Sequence, residues 1–152
     1  MKKLIVMILI IIILFSSCKM PPTTYSFPHN PDQVVSVILL HNRNSSGEGT
    51  DQSNFSVIKE LTPEESVLFV DEVYKLDTHR RYGGPYWGYG DYIAKITYDN
   101  GDVEMLGSLH IEFIPNGETA TGYGAYHFEH GSFVTLLSNY AELPEPVGYI
   151  KD

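Results

Sequence analysis

The sequence predicts a single α+β domain, with an antiparallel β-sheet of five to six strands and two helices packed on one face. Three patterns predict it: a helix start at Thr62-Pro63, several strand-like segments separated by turn residues, and a second helical apolar repeat after Ser132. The chain has 152 residues, of which 43% are hydrophobic, and this is enough to build one hydrophobic core. The sequence contains no internal repeat.

The first two predicted strands and the first helix follow one another along the chain. Residues 34–40, VVSVILL, are β-branched and aliphatic, as is typical of a largely buried strand. Phe55, Val57 and Leu61 alternate with polar residues, which predicts a second strand, antiparallel to the first. Thr62-Pro63-Glu64-Glu65 has the pattern of a capping box with proline at the first helical position, so a helix is expected to begin there.

The dipeptide Asn100-Gly101 predicts a β-hairpin, because both residues tolerate the positive φ angles of a two-residue type I′ turn. With these two residues as the loop, Tyr98 faces Val103 and Ile96 faces Met105 on the core side of the sheet. The same register places Glu104 opposite Thr97 on a solvent-facing surface.

The rest of the chain predicts two more strands and a second helix. Residues 110–114 and 121–128 have strand character and are separated by the turn residues Pro115-Asn116-Gly117. Ser132 is expected to cap a helix whose apolar residues recur at helical spacing, namely Phe133, Leu136, Leu137 and Tyr140.

The N-terminus has the three parts of a secretory signal. Lys2 and Lys3 precede an apolar run from Leu4 to Phe15, and Ser16-Ser17 stand directly before Cys18. The run is shorter than the roughly 20 apolar residues that a transmembrane helix needs. Phe15-Ser16-Ser17-Cys18 resembles the lipobox of bacterial lipoproteins, with Phe in place of the usual Leu and Ser in place of Gly or Ala. This resemblance covers the first 18 residues, and it implies cleavage before Cys18, a thioether-linked lipid on its sulfur and, in many bacteria, acylation of the new amino terminus.

These observations divide the chain into three parts. Residues 1–17 are the expected lipoprotein signal peptide, residues 18–32 the lipidated cysteine with a Pro-rich tether, and residues 33–152 the globular domain. At about 3.1 Å per residue, an extended tether would lift the domain roughly 30 to 40 Å from the bilayer. The expected location is the extracytoplasmic side of a cell membrane, either periplasmic or at the cell surface.

Charge and cysteine content exclude several function classes. The net charge is −9, and without Lys2 and Lys3 eight basic residues face 19 acidic ones, a balance of −11. Because this charge repels phosphate backbones, nucleic acid is not an expected partner. Cys18 is the only cysteine, which rules out an intramolecular disulfide, a cysteine metal site and a cysteine-based catalytic dyad.

The segment RRYGGPYWGYGDY, residues 80–92, is the most unusual part of the sequence. Its aromatic and glycine residues suit a recognition loop for a protein, peptide or sugar, because Tyr and Trp provide large contact areas with a polar tip. The alternative is a long connection that packs its own rings onto the sheet edge. The candidate contact residues are Arg80, Arg81, Tyr82, Tyr86, Trp87 and Tyr89.

A second set of candidates consists of His110, Glu112, His127 and His130. Their two strands are expected to pair, and if the register brings His110 opposite His127, these side chains could ligate zinc or a similar ion. The spacing matches no known metal motif, and scattered surface histidines are the favoured alternative. No cofactor is expected, and without a GxSxG elbow or a cysteine nucleophile no catalytic residue is assigned.

The leading functional hypothesis is a binding or interaction module of the cell envelope, in one version an inhibitor or immunity-type lipoprotein. Its expected partners are the membrane, through the lipid on Cys18, and an envelope or secreted protein. Two alternatives remain: a metal-binding protein or metal-dependent enzyme built on the His110 and His127 region, and a structural envelope protein without a discrete ligand.

Overall fold

The computed structural model describes residues 23–43, 52–80, 88–116, 118, 126–129 and 131–143. In chain order the strands are β1 (Val34–Asn42), β2 (Phe55–Glu60), β3 (Thr78–Arg80), β4 (Tyr92–Tyr98), β5 (Val103–Gly107), β6 (Ile111–Ile114) and β7 (Tyr126–Phe128). The helices are α1 (Pro63–Val73), between β2 and β3, and α2 (Ser132–Ala141), after β7. Short 3₁₀ turns at Pro31–Gln33 and Gln52–Asn54 precede β1 and β2.

The strands form two antiparallel sheets. The larger has five strands in the order β2-β1-β4-β5-β6, and the smaller pairs β3 with β7. With its two helices, this architecture confirms the predicted α+β class. The first two predicted strands are present, and they pair antiparallel as expected.

The main core lies between the helices and one face of the five-stranded sheet. Helix α1 contacts β1, and helix α2 contacts β4. Phe69 of α1, Phe133 of α2 and Ile96 of β4 are completely buried in it. At about 1.5–3 kcal/mol for each fully buried large apolar side chain, this layer is the principal source of the domain's stability.

The predicted capping box of α1 is present. The Thr62 side chain accepts a hydrogen bond from the Glu65 backbone N–H at 3.2 Å, and Glu65 Oε2 accepts one from the Thr62 N–H at 2.8 Å. Two N–H groups that a helix start would leave without partners are thereby satisfied, so this local signal determines where the helix begins.

A second apolar cluster lies on the opposite face of the five-stranded sheet. Leu40, Tyr89, Ile93 and Met105 are buried there. Met105 therefore faces this cluster, while its neighbour Leu106 faces the main core. The predicted solvent-facing side of the β4–β5 hairpin is wrong, since both faces of the hairpin carry buried apolar residues.

The predicted register of the β4–β5 hairpin is wrong by one residue. Thr97 pairs with Val103 and Ile96 with Glu104. The Gly101 N–H bonds to the Tyr98 carbonyl at 2.9 Å, and Gly101 has a φ of +87°, which together form a longer turn ending in a left-handed glycine. Asn100 is not among the described residues with positive φ. Instead, its side-chain oxygen accepts a hydrogen bond from the Asp102 N–H at 3.0 Å.

Three further details differ from the sequence prediction. Strand β3 was not predicted, and β7, the described end of the predicted strand 121–128, pairs with β3 and not with β6. Helix α2 begins at the predicted place, but its N-cap is Gly131, with a φ of +73°. Ser132 is the first helical residue, and its hydroxyl donates to the Glu129 carbonyl at 2.7 Å.

Gly107 lies where β5 passes directly against the backbone of Tyr89, which leaves no room for a side chain at this position. A Cβ at position 107 would lie 2.1 Å from the Tyr89 carbonyl oxygen and 2.6 Å from the Tyr89 Cβ. Because backbone atoms cannot rotate away, we expect Gly107→Ala to lower the free energy of unfolding by about 3 kcal/mol, measured by urea denaturation.

Gly101→Ala is the comparison variant. Its Cβ would meet the exposed Asn116 side chain, which can rotate, so the cost is mainly that of a positive φ, about 1–2 kcal/mol. A Gly107→Ala protein that loses no more stability than Gly101→Ala would contradict the prediction.

Candidate functional site

A buried carboxyl group, surrounded by tyrosine hydroxyls, is the most distinctive polar feature of the described residues. Glu104 of β5 is 0% exposed and points into the main core side of the sheet. Tyr25 donates its hydroxyl proton to Glu104 Oε1 at 2.7 Å, and Tyr98 donates to Glu104 Oε2. The Tyr74 hydroxyl lies 2.7 Å from that of Tyr98. We call these four residues the Glu104 cluster.

The direction of each hydrogen bond in the Glu104 cluster can be assigned from the number of protons that its hydroxyl groups carry. Since the single hydroxyl proton of Tyr98 is directed to Glu104, the Tyr98 oxygen accepts from Tyr74. Burial, with the charge of Glu104 and the hydrogen bonds, raises the pKa of both Tyr25 and Tyr98, so both remain protonated donors. Burial also raises the pKa of Glu104, although its two tyrosine hydrogen bonds act in the opposite direction.

Tyr25 belongs to a segment, residues 23–30, that lies against the domain before β1 begins; we call it the strap. The Phe27 ring stacks on Tyr74 with centroids 4.0 Å apart. His29 Nε2 lies 2.8 Å from Asp102 Oδ2. The strap is thus attached through an aromatic stack, a hydrogen bond to a buried carboxyl and a contact with a carboxylate. It lies within the segment predicted as tether, residues 18–32.

Asp102, which holds His29, is itself fixed by the hairpin. The pKa of Asp102 is lowered by the Asn116 backbone N–H, by the Asn100 side chain and by His29, all of which favour its charged form. The Asn116 N–H donates to Asp102 Oδ1 at 2.8 Å. The turn that sets the hairpin register therefore also presents the carboxylate that holds the strap.

On the other face of the sheet, the structure brings together residues from both predicted sets. The Tyr89 hydroxyl donates to the Glu112 carboxylate, and the Tyr89 ring packs edge-on against His110 with centroids 4.8 Å apart. Tyr89 is only 2% exposed, and His110 only 1%. At Tyr89 the geometry therefore favours the packing alternative, in which a ring anchors the loop instead of contacting a partner.

The remaining candidate residues of the aromatic segment are only partly described. Arg80 is the last residue of β3 and is partly exposed. Arg81, Tyr82, Tyr86 and Trp87 lie outside the described residues, as do Cys18 and His130. The described parts of this segment are Arg80, in a strand, and residues 88–92, in which Tyr89 belongs to the second apolar cluster.

The expected pairing of the strands that carry His110 and His127 is wrong, because β7 pairs with β3. His127 lies opposite His79, with ring centroids 6.0 Å apart, whereas His110 directly precedes β6 in the larger sheet. Within the described ranges, no group of three or more His, Cys, Asp or Glu side chains is arranged to hold a metal ion.

The role of Glu104 in its cluster is to hold neighbouring side chains in place. A carboxyl group with no exposed surface has no contact with a substrate in solution, so its two hydrogen bonds serve to hold Tyr25 and Tyr98. Glu104 was not among the predicted site residues, because the expected hairpin register placed it on a solvent-facing surface, whereas it pairs with Ile96 of the core. The signal that could have indicated it is the set of hydroxyl-bearing tyrosines at positions 25, 74 and 98, which need polar partners when buried.

Comparison with protein-family models, curated proteins and solved structures finds no match for this chain. Among the helices that the structure describes, none is long and apolar enough to cross a membrane.

The raised pKa of Glu104 predicts a pH-dependent stability difference. In the unfolded chain its pKa is near 4.5, and burial raises it in the folded state. This contribution to stability is therefore fully present below pH 4.5 and is lost as the pH rises through the folded-state pKa. Relative to Glu104→Gln, which has no carboxyl to ionise, the wild type should lose stability from pH 4.5 towards neutrality, by about 1.4 kcal/mol for each unit of pKa elevation.

Urea denaturation of both proteins across this pH range measures the difference, and groups common to both proteins, such as Asp102, cancel. Tyr98→Phe provides a second comparison. Because it removes a donor to the charged form, it should cost about 1–3 kcal/mol near neutral pH and less in acid. Parallel stability profiles against pH for wild type and Glu104→Gln would contradict a raised pKa of Glu104 in the folded state.

Proposed function

We propose that this chain is a lipoprotein, anchored through lipid on Cys18 to the extracytoplasmic side of a bacterial membrane, and that its domain binds a protein of the cell envelope. The observation that carries the anchor is the signal pattern that ends at Cys18. Two or more acyl chains at such a site would anchor the domain stably.

The binding function is supported by how the aromatic segment is attached to the domain. Arg80 is paired in β3, and Tyr89 is buried against Glu112, so the segment between them joins two fixed points. The sequence between these points contains Arg81, Tyr82, Tyr86 and Trp87, residue types that are enriched where proteins bind one another. A connection fixed at both ends loses less conformational entropy on binding than one that is free.

A sheet edge supports the same function. Among the described strands, β2 pairs on one side only, with β1, and its Val57 side chain is 60% exposed. An edge of this kind can accept an extended strand of a partner through backbone hydrogen bonds. The edge and the aromatic segment are two separate surfaces on which a partner could be held.

The charge of the mature chain favours a basic partner. With eight basic and 19 acidic residues after removal of Lys2 and Lys3, the domain attracts positively charged proteins and would accelerate their association. An inhibitor or immunity-type lipoprotein that blocks a basic secreted enzyme or toxin is the specific version of this proposal. Partner capture by the anchored domain would then block that enzyme at the membrane surface.

Intact mass spectrometry of the protein from a bacterial host tests the anchor. We expect a mature chain that begins at Cys18 and carries added acyl chains, recovered in the membrane fraction. Cys18→Ala should yield no lipidated product, and Ser17→Ala, which brings the motif closer to the usual lipobox, should be processed like the wild type. An unlipidated wild-type chain would exclude the anchor.

Replacement of two aromatic residues tests the partner surface. We expect Tyr86→Ala with Trp87→Ala to weaken the affinity for a purified envelope partner at least about 30-fold, the effect of losing one binding hot spot of 2 kcal/mol. Tyr89 is retained because it is buried. Leu68→Ala, at a 59% exposed position on α1, is the control for loss of an exposed apolar side chain. Unchanged affinity in a folded double variant would exclude this segment as the contact surface.

A further inference from the structure

We infer that one edge of the domain, formed by Thr23, His79 and Arg80, is its membrane-facing surface, held against the lipid headgroups by the strap and a very short tether. This inference rests on the lipidation of Cys18 in the proposed function. We call these three residues the tether edge. The occupant of the tether edge is the headgroup layer of the bilayer in which the lipid on Cys18 is anchored.

The path of the strap places Thr23, the described residue nearest to Cys18 in the chain, beside one end of β3. The Arg80 N–H donates to the Thr23 carbonyl at 2.7 Å, and the Tyr25 N–H donates to Thr78 Oγ1 at 2.9 Å. The strap therefore runs antiparallel to β3, with Thr23 beside the last residue of that strand. Tyr25, bonded to Glu104, keeps the strap in this position.

The length of the tether sets the orientation. Cys18 and Thr23 are five residues apart, which corresponds to at most roughly 18 Å of extended chain. A domain of about 120 residues has a diameter of about 35 Å. Since the tether is shorter than the domain, the side opposite Thr23 cannot turn towards the bilayer. If all of residues 18–32 were free, as the sequence alone suggests, this restriction would be absent.

The charged residues at the two ends of the β3–β7 pair support the same orientation of the domain. Arg80 stands at the end next to Thr23, whereas Asp77 and Glu129 meet at the opposite end, where the Glu129 N–H donates to the Asp77 carbonyl at 3.0 Å. Repulsion between anionic headgroups and the carboxylates of Asp77 and Glu129 favours the orientation in which their end of the pair points away from the lipid.

Site-specific quenching tests the orientation. The full-length lipidated protein is reconstituted into vesicles of phosphatidylcholine and phosphatidylglycerol that contain a lipid with a nitroxide on its headgroup. A fluorophore is placed on His79→Cys, at an exposed position of the tether edge, or on Val57→Cys, on β2 at the far edge of the sheet. Because collisional quenching acts over distances far shorter than the domain diameter of about 35 Å, we expect quenching at position 79 to exceed that at position 57 at least about threefold.

The sole cysteine makes this experiment informative about both proposals. A lipidated Cys18 has no free thiol, so each protein should take up one fluorophore. Two fluorophores per chain would show that Cys18 is not lipidated, and the proposed anchor would fail. One fluorophore with equal quenching at both positions would leave the anchor intact and overturn the orientation.

A lengthened tether is the matched control. Insertion of ten Gly and Ser residues between Cys18 and Thr23 leaves the strap and the domain unchanged, yet it triples the reach of the tether to roughly 54 Å, longer than the domain diameter. We expect the difference between the two fluorophore positions to disappear in this variant. A difference that survives the insertion would overturn the role of the tether in setting the orientation.

Discussion

Burial of the Glu104 carboxyl imposes a requirement on three separate parts of the chain. A carboxylate taken out of water loses hydration worth several kcal/mol, and the fold has to replace it with hydrogen bonds. Tyr98 supplies one from the same hairpin, Tyr25 supplies one from the strap, and Tyr74, at the end of α1, supports Tyr98. Because a domain is stable by only about 5–15 kcal/mol in total, the strap is part of the fold and not an appendage to it.

The elements that the sequence predicted correctly are those whose signals are local. The capping box at Thr62 and Glu65 involves residues three apart, and its geometry in the structure is the one that the sequence pattern describes. Strand β2 was likewise predicted from neighbouring residues, and β1, the strand before it in the chain, pairs with it. The predicted alternation is not reproduced, because Val57 is 60% exposed and Ile58 packs against the main core. The α+β class follows from such signals, since they identify strands and helices without reference to distant contacts.

The hairpin register could not be predicted from the sequence, because the dipeptide Asn100-Gly101 is compatible with two different turns. A positive φ is needed at both residues in one turn and only at Gly101 in the other, and the Asn100 side chain stabilises the second by accepting from the Asp102 N–H. A shift of one residue moves every side chain of β5 to the other face of the sheet. Glu104 was therefore assigned to solvent, and the cluster around it could not be predicted.

The strap and β3 were missed for a different reason, namely that their partners are distant in sequence. Tyr25 and Glu104 are 79 residues apart, and Thr23 and Arg80 are 57 residues apart. Prolines at positions 28 and 31 indicate an extended backbone, but they do not reveal whether that backbone is free or lies against a domain. Only the long-range contacts distinguish a loose tether from a strap.

Arg80 connects the anchoring of the domain with its proposed binding surface. Its N–H donates to the carbonyl of Thr23, at the start of the strap, and the aromatic segment, residues 80–92, begins at Arg80 itself. Under the two proposals, a protein bound by this segment is held close to the bilayer, because binding starts from the edge that the tether keeps there. Confinement near the membrane raises the effective concentration of the domain for partners that are themselves at the membrane. The arrangement therefore favours a partner that acts at the membrane, including a secreted enzyme or toxin that reaches it.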